Sequence, residues 1–265
     1  MPIMTVGTGR ALIYSGIVAW DPSQPTTDGG VLPDHWYRSD SGLWQDAGVT
    51  PAVLDGAVIG RWEDLTANAD HVNQAVAGRK PTLQNAAGDL LGGHPVIRFD
   101  GTDDYVTGLY TTGGNMNQPN TIFSVAALTG WVPNDASSRA LYDGFVATNQ
   151  LLYARNNDDP DKWAIFAVGG PLQGGATDAS WHTWTALYNG AAGQFWKDGV
   201  SEAGPGNAWT NAMTGMTIGS RGGSGFAWFG DITEVIAYDA DLSNADKNQV
   251  GNYLETRYAL AYTAI

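Results

Sequence analysis

Between residues 96 and 238, strand-like segments follow one another with turn residues between them. No helical period interrupts the series. This succession is the tightest constraint on the fold, because short segments bounded by Gly, Pro, Asn and Asp pack as strands. The runs fall at 96–99, 121–128, 140–142, 150–154, 162–168, 181–188, 193–197, 200–202, 216–219, 227–229 and 232–238. The run 121–128 lacks strict alternation, which predicts cover on both of its faces. Asp198-Gly199 sits between two runs as a two-residue hairpin turn. Asp100-Gly101, followed by Thr102, Asp103 and Asp104, predicts a turn with a bulge leading into a second strand at Tyr105 and Val106. One helix is signalled. Ser243 followed by Asp246 makes a capping-box-like start, and Val250, Tyr253, Leu254 and Tyr258 share a face. Gly251 weakens that helix by roughly 1 kcal/mol relative to Ala. The fold class predicted is all-β, a two-sheet antiparallel sandwich with one C-terminal helix.

Composition narrows the function. The 265 residues carry 13 basic and 27 acidic side chains, a net charge of −14, which repels nucleic acid and anionic membranes. No run of about 18 apolar residues is present, so no membrane insertion is expected. The chain has no cysteine, which excludes a disulfide framework, a thiolate metal site and a Cys nucleophile. Its four histidines, His35, His71, His94 and His182, show no metal-ligand spacing. The start, Met1 to Arg10, lacks the pattern of a secretory signal. Residues 1–33 read as an N-terminal arm, with short strands at 11–14 and 17–20 and a loop at 21–30. The arm is expected either to dock on a partner chain or to add an edge strand. Residues 34–265 read as one domain.

Three segments carry a family resemblance. Residues 96–106, with Arg98, Phe99, Asp100, Gly101, Asp103, Asp104 and Tyr105, resemble the "RFDG-x-DDY" segment of the concanavalin A-like (laminin-G-like) jelly rolls. Residues 60–65 through 80–83 look like that family's lead-in, although Thr66-Ala67-Asn68-Ala69 replaces its usual Ser-Gly-Asn-Gly turn. Residues 230–239 with Leu242 and Ser243 look like its closing strand and helix. The resemblance implies a jelly roll over residues 34–260 and is nearly silent on function, since one fold hosts lectins, hydrolases, adhesins and phage virion proteins.

Hydrolysis of a glycoside needs two carboxylates flanking the bond, about 5–10 Å apart. The hydrolases of the resembled fold carry Glu-x-Asp-x-x-Glu on one strand. None of Glu63, Glu202, Glu234 and Glu255 lies in that motif. Asp231 and Glu234 are three apart, which on a regular strand places them on opposite faces. A Gly-x-Ser-x-Gly elbow is absent. For metal, Asn156, Asp158, Asp159 and Asp161 put dense oxygen donors on one loop, and Asp100, Asp103 and Asp104 form a second cluster. Both are open to two readings, ordinary turn chemistry or Ca²⁺. For sugar, an aromatic face bracketed by polar groups is the chemistry to seek. Trp131 and Trp209 on loops, with Arg155 and Trp163 beside the acidic loop, are the candidates.

The resemblance and the missing secretion signal together imply a non-enzymatic phage virion surface protein. A capsid decoration, fibre or receptor-binding component would meet other virion proteins or itself through residues 1–33, and host polysaccharide through the domain. The alternative is a secreted, extracellular bacterial carbohydrate-binding module or domain of a polysaccharide-active enzyme.

Overall fold

The computed structural model describes residues 19–130, 137–146, 149–155, 161–223 and 225–265. In chain order the strands are β1 (His35–Arg38), β2 (Leu43–Trp44), β3 (Arg61–Trp62), β4 (Val72–Asn73), β5 (Thr82–Gln84), β6 (Val96–Asp100), β7 (Val106–Leu109), β8 (Asn120–Ala127) and β9 (Arg139–Gly144). They continue as β10 (Leu151–Arg155), β11 (Lys162–Phe166), β12 (Leu172–Ala176), β13 (Trp181–Tyr188), β14 (Gly193–Lys197), β15 (Val200–Gly206), β16 (Gly215–Ile218) and β17 (Phe229–Tyr238). The single α-helix among the described residues, α1 (Asn244–Tyr258), closes the chain.

Two antiparallel sheets result. The first runs β15-β14-β13-β8-β17-β6-β5, and β1 continues the β17 edge beyond β6. The second runs β12-β11-β10-β9-β16-β7-β4-β3-β2. Their facing sides enclose a core in which Trp62, Trp163, Trp184 and Trp228 are fully buried. A second apolar layer lies outside the first sheet, where Val250, Leu254 and Tyr258 of α1 cover Phe123, Val125, Ile236 and Tyr238. This explains β8, whose eight residues are all buried. One face meets the core and the other meets the helix, so the absence of alternation is the signature of a doubly covered strand. Each large apolar side chain buried in this way contributes about 1.5–3 kcal/mol.

Local chemistry matches the architecture at the helix and at one turn. Ser243 caps α1, its Oγ accepting from the Asp246 amide at 3.2 Å. The Asp246 carboxylate in turn accepts the amides of Asp28 and Gly29 at 2.9 and 2.8 Å, which ties the 21–33 segment to the helix. Asp198 and Gly199 both have positive φ, 53° and 77°, as a tight hairpin between β14 and β15 requires.

Elsewhere the structure departs from expectation. The link after Asp100 does not close a hairpin. β6 pairs with β5 and β17 in the first sheet, whereas β7 pairs with β4 and β16 in the second, so the turn carries the chain between layers. The runs at 227–229 and 232–238 yield one strand, β17, which begins at Phe229. The strand expected at 11–14 lies outside the described residues, and Ala19 and Trp20 are irregular.

Candidate functional site

A concave site forms on the outer side of α1. Gln249, Asn252, Tyr253 and Thr256 fall at i, i+3, i+4 and i+7, so they make one stripe along the helix. Trp20 and Asp21 face the stripe from the N-terminal segment, and the turn holding Gly92 and His94 closes its far end. The cleft encloses about 680 Å³, within the range of small-molecule sites. Gly92 has φ 57°, and a Cβ there would fall 2.7 Å from the Arg257 carbonyl oxygen, so only glycine lets this turn approach the end of the helix.

The aromatic groups are held edge to face. Trp20 and Tyr253 have ring centroids 6.1 Å apart at 88°. The Trp20 indole N–H donates to the Pro25 carbonyl at 3.1 Å. The Gln249 side-chain oxygen accepts from the Thr27 amide and hydroxyl at 2.8 and 3.0 Å, which fixes the rotamer and turns its NH₂ elsewhere. Arg257 donates to the Asp40 carboxylate and lies 3.2 Å from His94 Nδ1. Burial and the Arg257 charge push the His94 imidazole below its usual pKa, which favours the neutral ring at neutral pH. The lining therefore offers indole and phenol surface, two amides, a hydroxyl, an imidazole and the Arg257 guanidinium. Its one lining carboxylate, Asp21, accepts the Ser23 amide and hydroxyl at 2.9 and 2.5 Å. This inventory suits recognition of a hydroxylated ring; acid–base cleavage would need a second carboxylate.

Beneath the cleft lies Glu234, fully buried. It accepts from Trp36 Nε1 at 2.5 Å, Tyr258 Oη at 2.7 Å and Tyr253 Oη at 3.0 Å, with Arg257 Nε 3.7 Å away. Burial raises its pKa against the lowering effect of these donors. Asp231 and Glu234 do not face opposite sides as their spacing predicts. The pairing of β17 with β8 skips Thr233, and this bulge brings both carboxylates to the outer face. Neither is available to a substrate, since Asp231 is gripped by Arg98 at 2.8 and 3.0 Å and Glu234 by the three donors.

The residues expected to bind sugar do not converge. Trp163 is 1% exposed and packs on Trp184 with centroids 4.5 Å apart, so no face of its ring is open to a ligand. Trp209 is 44% exposed and lies over Gly169, past the Phe166 end of β11. Arg155 pairs with Lys162 at the opposite end of that strand. Trp131 lies outside the described residues, as do Asn156, Asp158 and Asp159 of the expected Ca²⁺ loop. Asp161 is 2% exposed, and its carbonyl accepts the Thr177 amide at 2.9 Å. The carboxylates of Asp100, Asp103 and Asp104 do lie within 4.8 Å of one another. They also make local turn bonds, Asp100 accepting the Thr102 amide at 2.8 Å and Asp104 accepting the Asp100 amide at 3.0 Å. Burial and the Asp100 charge push Asp104 up to about 6. Sequence reasoning missed the cleft itself. The polar stripe at 249, 252 and 256 on the side of α1 away from Val250 and Leu254 was its one visible sign.

No protein-family model matches the chain, and no curated protein matches it in sequence. Solved structures do match. A Trypanosoma rangeli sialidase in complex with the inhibitor DANA superposes with a TM-score of 0.55 at 12% identity, over 86% of this chain and 33% of the sialidase. A GH54 α-L-arabinofuranosidase soaked with a cyclic sulfate inhibitor gives 0.64 at 12% identity, over 86% of this chain and 63% of that one. An arabinofuranosidase complexed with arabinofuranosyl-α-1,2-xylobiose gives 0.56 at 14% identity, over 76% and 51%. The chain thus spans about a third of the sialidase and less than two thirds of either arabinofuranosidase. At these identities the likeness establishes a shared β-sandwich fold. It also corrects the expectation of a non-enzymatic virion surface protein, because the three superposed structures are of glycoside hydrolases. The alternative, a carbohydrate-binding module or domain of a polysaccharide-active enzyme, accords better with them.

Proposed function

We propose that this chain is a glycan-binding β-sandwich domain of a polysaccharide-active enzyme, with the cleft between Trp20 and α1 as its sugar site. The observation that carries the reading is the composition of that cleft, where two aromatic rings stand among amide, hydroxyl and imidazole groups in about 680 Å³. A pyranose or furanose ring presents apolar C–H faces and a rim of hydroxyls, and this lining complements both. The glycoside hydrolases that share the fold support the same chemistry.

Calorimetric titration against a panel of plant and bacterial oligosaccharides tests the reading, with Trp20→Ala and Asn252→Ala as variants. An aromatic contact worth about 1.4 kcal/mol corresponds to tenfold in affinity. Trp20→Ala is therefore expected to weaken binding of the best ligand about tenfold without changing the unfolding midpoint. Binding that survives both substitutions unchanged would move the sugar site elsewhere, and no binding to any glycan would end the proposal.

A further inference from the structure

A second, smaller cavity of about 150 Å³ opens on the outer face of the second sheet, where Ser138, Tyr153, Arg155, Phe166, Arg221 and Phe226 contribute to its walls. The register sets this up. Tyr153 pairs with Ala164 and Arg155 with Lys162, so both side chains leave the sheet on the side away from the core. Leu151, Tyr153, Ala140 and Ala164 form an apolar floor there, separate from the main core. Phe226 arrives from the loop before β17 with φ 53°, a conformation that a bulky residue keeps only when its surroundings hold it. It is held at both ends. Its carbonyl accepts the Ala140 amide at 2.7 Å, and its ring lies nearly parallel to Tyr153, 6.0 Å away at 9°. The guanidinium carbon of Arg221 sits 4.1 Å from the centroid of the same ring.

Arg221 differs from five of the other arginines. Arg38, Arg61, Arg79, Arg98 and Arg257 each have a carboxylate within 4.0 Å. Among the described residues Arg221 has none, and its Nε is buried without an acceptor. A cation stacked flat on an aromatic ring keeps its fork of donors in one plane, the geometry that a carboxylate meets with two parallel bonds. The chain carries a net charge of −14, yet among the described residues no acid pairs with this cation. Arg155 and the Ser138 hydroxyl line the same cavity, and Phe166 adds apolar surface for ring carbons. The volume equals about five waters' share of the liquid, the scale of one sugar ring.

We propose that this cavity binds a carboxylated sugar, a hexuronic acid residue of an acidic polysaccharide, with Arg221 taking the carboxylate. The sugar part rests on the glycan-binding function proposed above, and the carboxylate part rests on Arg221 alone. The test is calorimetric titration of the full chain with methyl glucuronide and methyl galacturonide, their neutral counterparts methyl glucoside and methyl galactoside, and inorganic phosphate. One uronide is expected to bind at least tenfold more tightly than its neutral counterpart. Arg221→Met should erase that preference with the unfolding midpoint unchanged, and Trp20→Ala should leave it intact. Equal affinity for acid and neutral sugars, phosphate binding as tight as the uronide, or a preference that survives Arg221→Met would each overturn the proposal. If uronides fail while neutral oligosaccharides still bind through Trp20, the carboxylate site falls and the glycan-binding function stands. If no glycan of any kind binds, both fall.

Discussion

Removing Glu234 tests whether the helix is held by its carboxylate or by apolar contact alone. In Glu234→Ala, the indole N–H of Trp36 and the hydroxyl of Tyr258 lose their acceptor. Those two residues are 5% and 1% exposed, so water cannot replace it. Tyr253 is half-buried and can turn its hydroxyl to solvent. Each stranded buried donor costs about 1–3 kcal/mol, so two give about 4 kcal/mol, in line with the 3–5 kcal/mol typical of breaking a buried charged pair. At about 2–4 °C per kcal/mol for a chain of this size, the midpoint should fall by roughly 8–16 °C. Glu234→Gln keeps the shape and one acceptor oxygen and removes the cost of burying a charge, so it should stay within about 1.5 kcal/mol of the parent. The pH dependence separates them further. Burial raises the Glu234 pKa, so the folded state holds this proton more tightly than the unfolded one. Its stabilising contribution is full below the unfolded value and is lost as pH rises through the raised one. The parent should therefore gain on Glu234→Gln as pH falls. Urea unfolding followed by tryptophan fluorescence measures all three proteins. An Ala variant within 1 kcal/mol of the parent would refute the argument, as would a Gln variant as damaged as Ala.

The rim of the first sheet holds a second pH-sensitive group. Burial lowers the His182 pKa, but hydrogen bonds at 2.7 Å to Asp198 and 2.8 Å to Asp178 outweigh it and leave the value raised. Stability from this contact should be complete below pH 6.5 and should fade as pH rises through the raised value; an NMR titration placing His182 at or below 6.5 would contradict it. Gly251→Ala should improve helix propensity by about 1 kcal/mol and still destabilise the protein. The new Cβ would fall 2.0 Å from Tyr262 ring atoms, and overpacking of this kind costs about 1–3 kcal/mol. Urea midpoints decide the sign, and a more stable variant would mean that the C-terminal segment does not pack on α1.

What the sequence could reveal was local. The Ser243 cap, the Asp198-Gly199 hairpin and the non-alternating run of β8 each follow from a few adjacent residues, and the structure contains all three. What it could not reveal depends on register and on distant pairing. Asp100 to Tyr105 reads as a reversal in any strand-rich chain, and only the partners of β6 and β7 show that it joins two layers. Trp163 follows Asp161-Lys162 and Trp209 precedes Thr210-Asn211; one faces Trp184 in the core and the other lies open over Gly169. Thr233 makes the sharpest case. Nothing in its neighbours marks a bulge, yet one unpaired residue moves Glu234 to the side of Asp231 and beneath the helix. The same acid three positions along a regular strand would have faced the core. The side of a sheet on which its chemistry appears is therefore a property of pairing, and a single insertion reverses it.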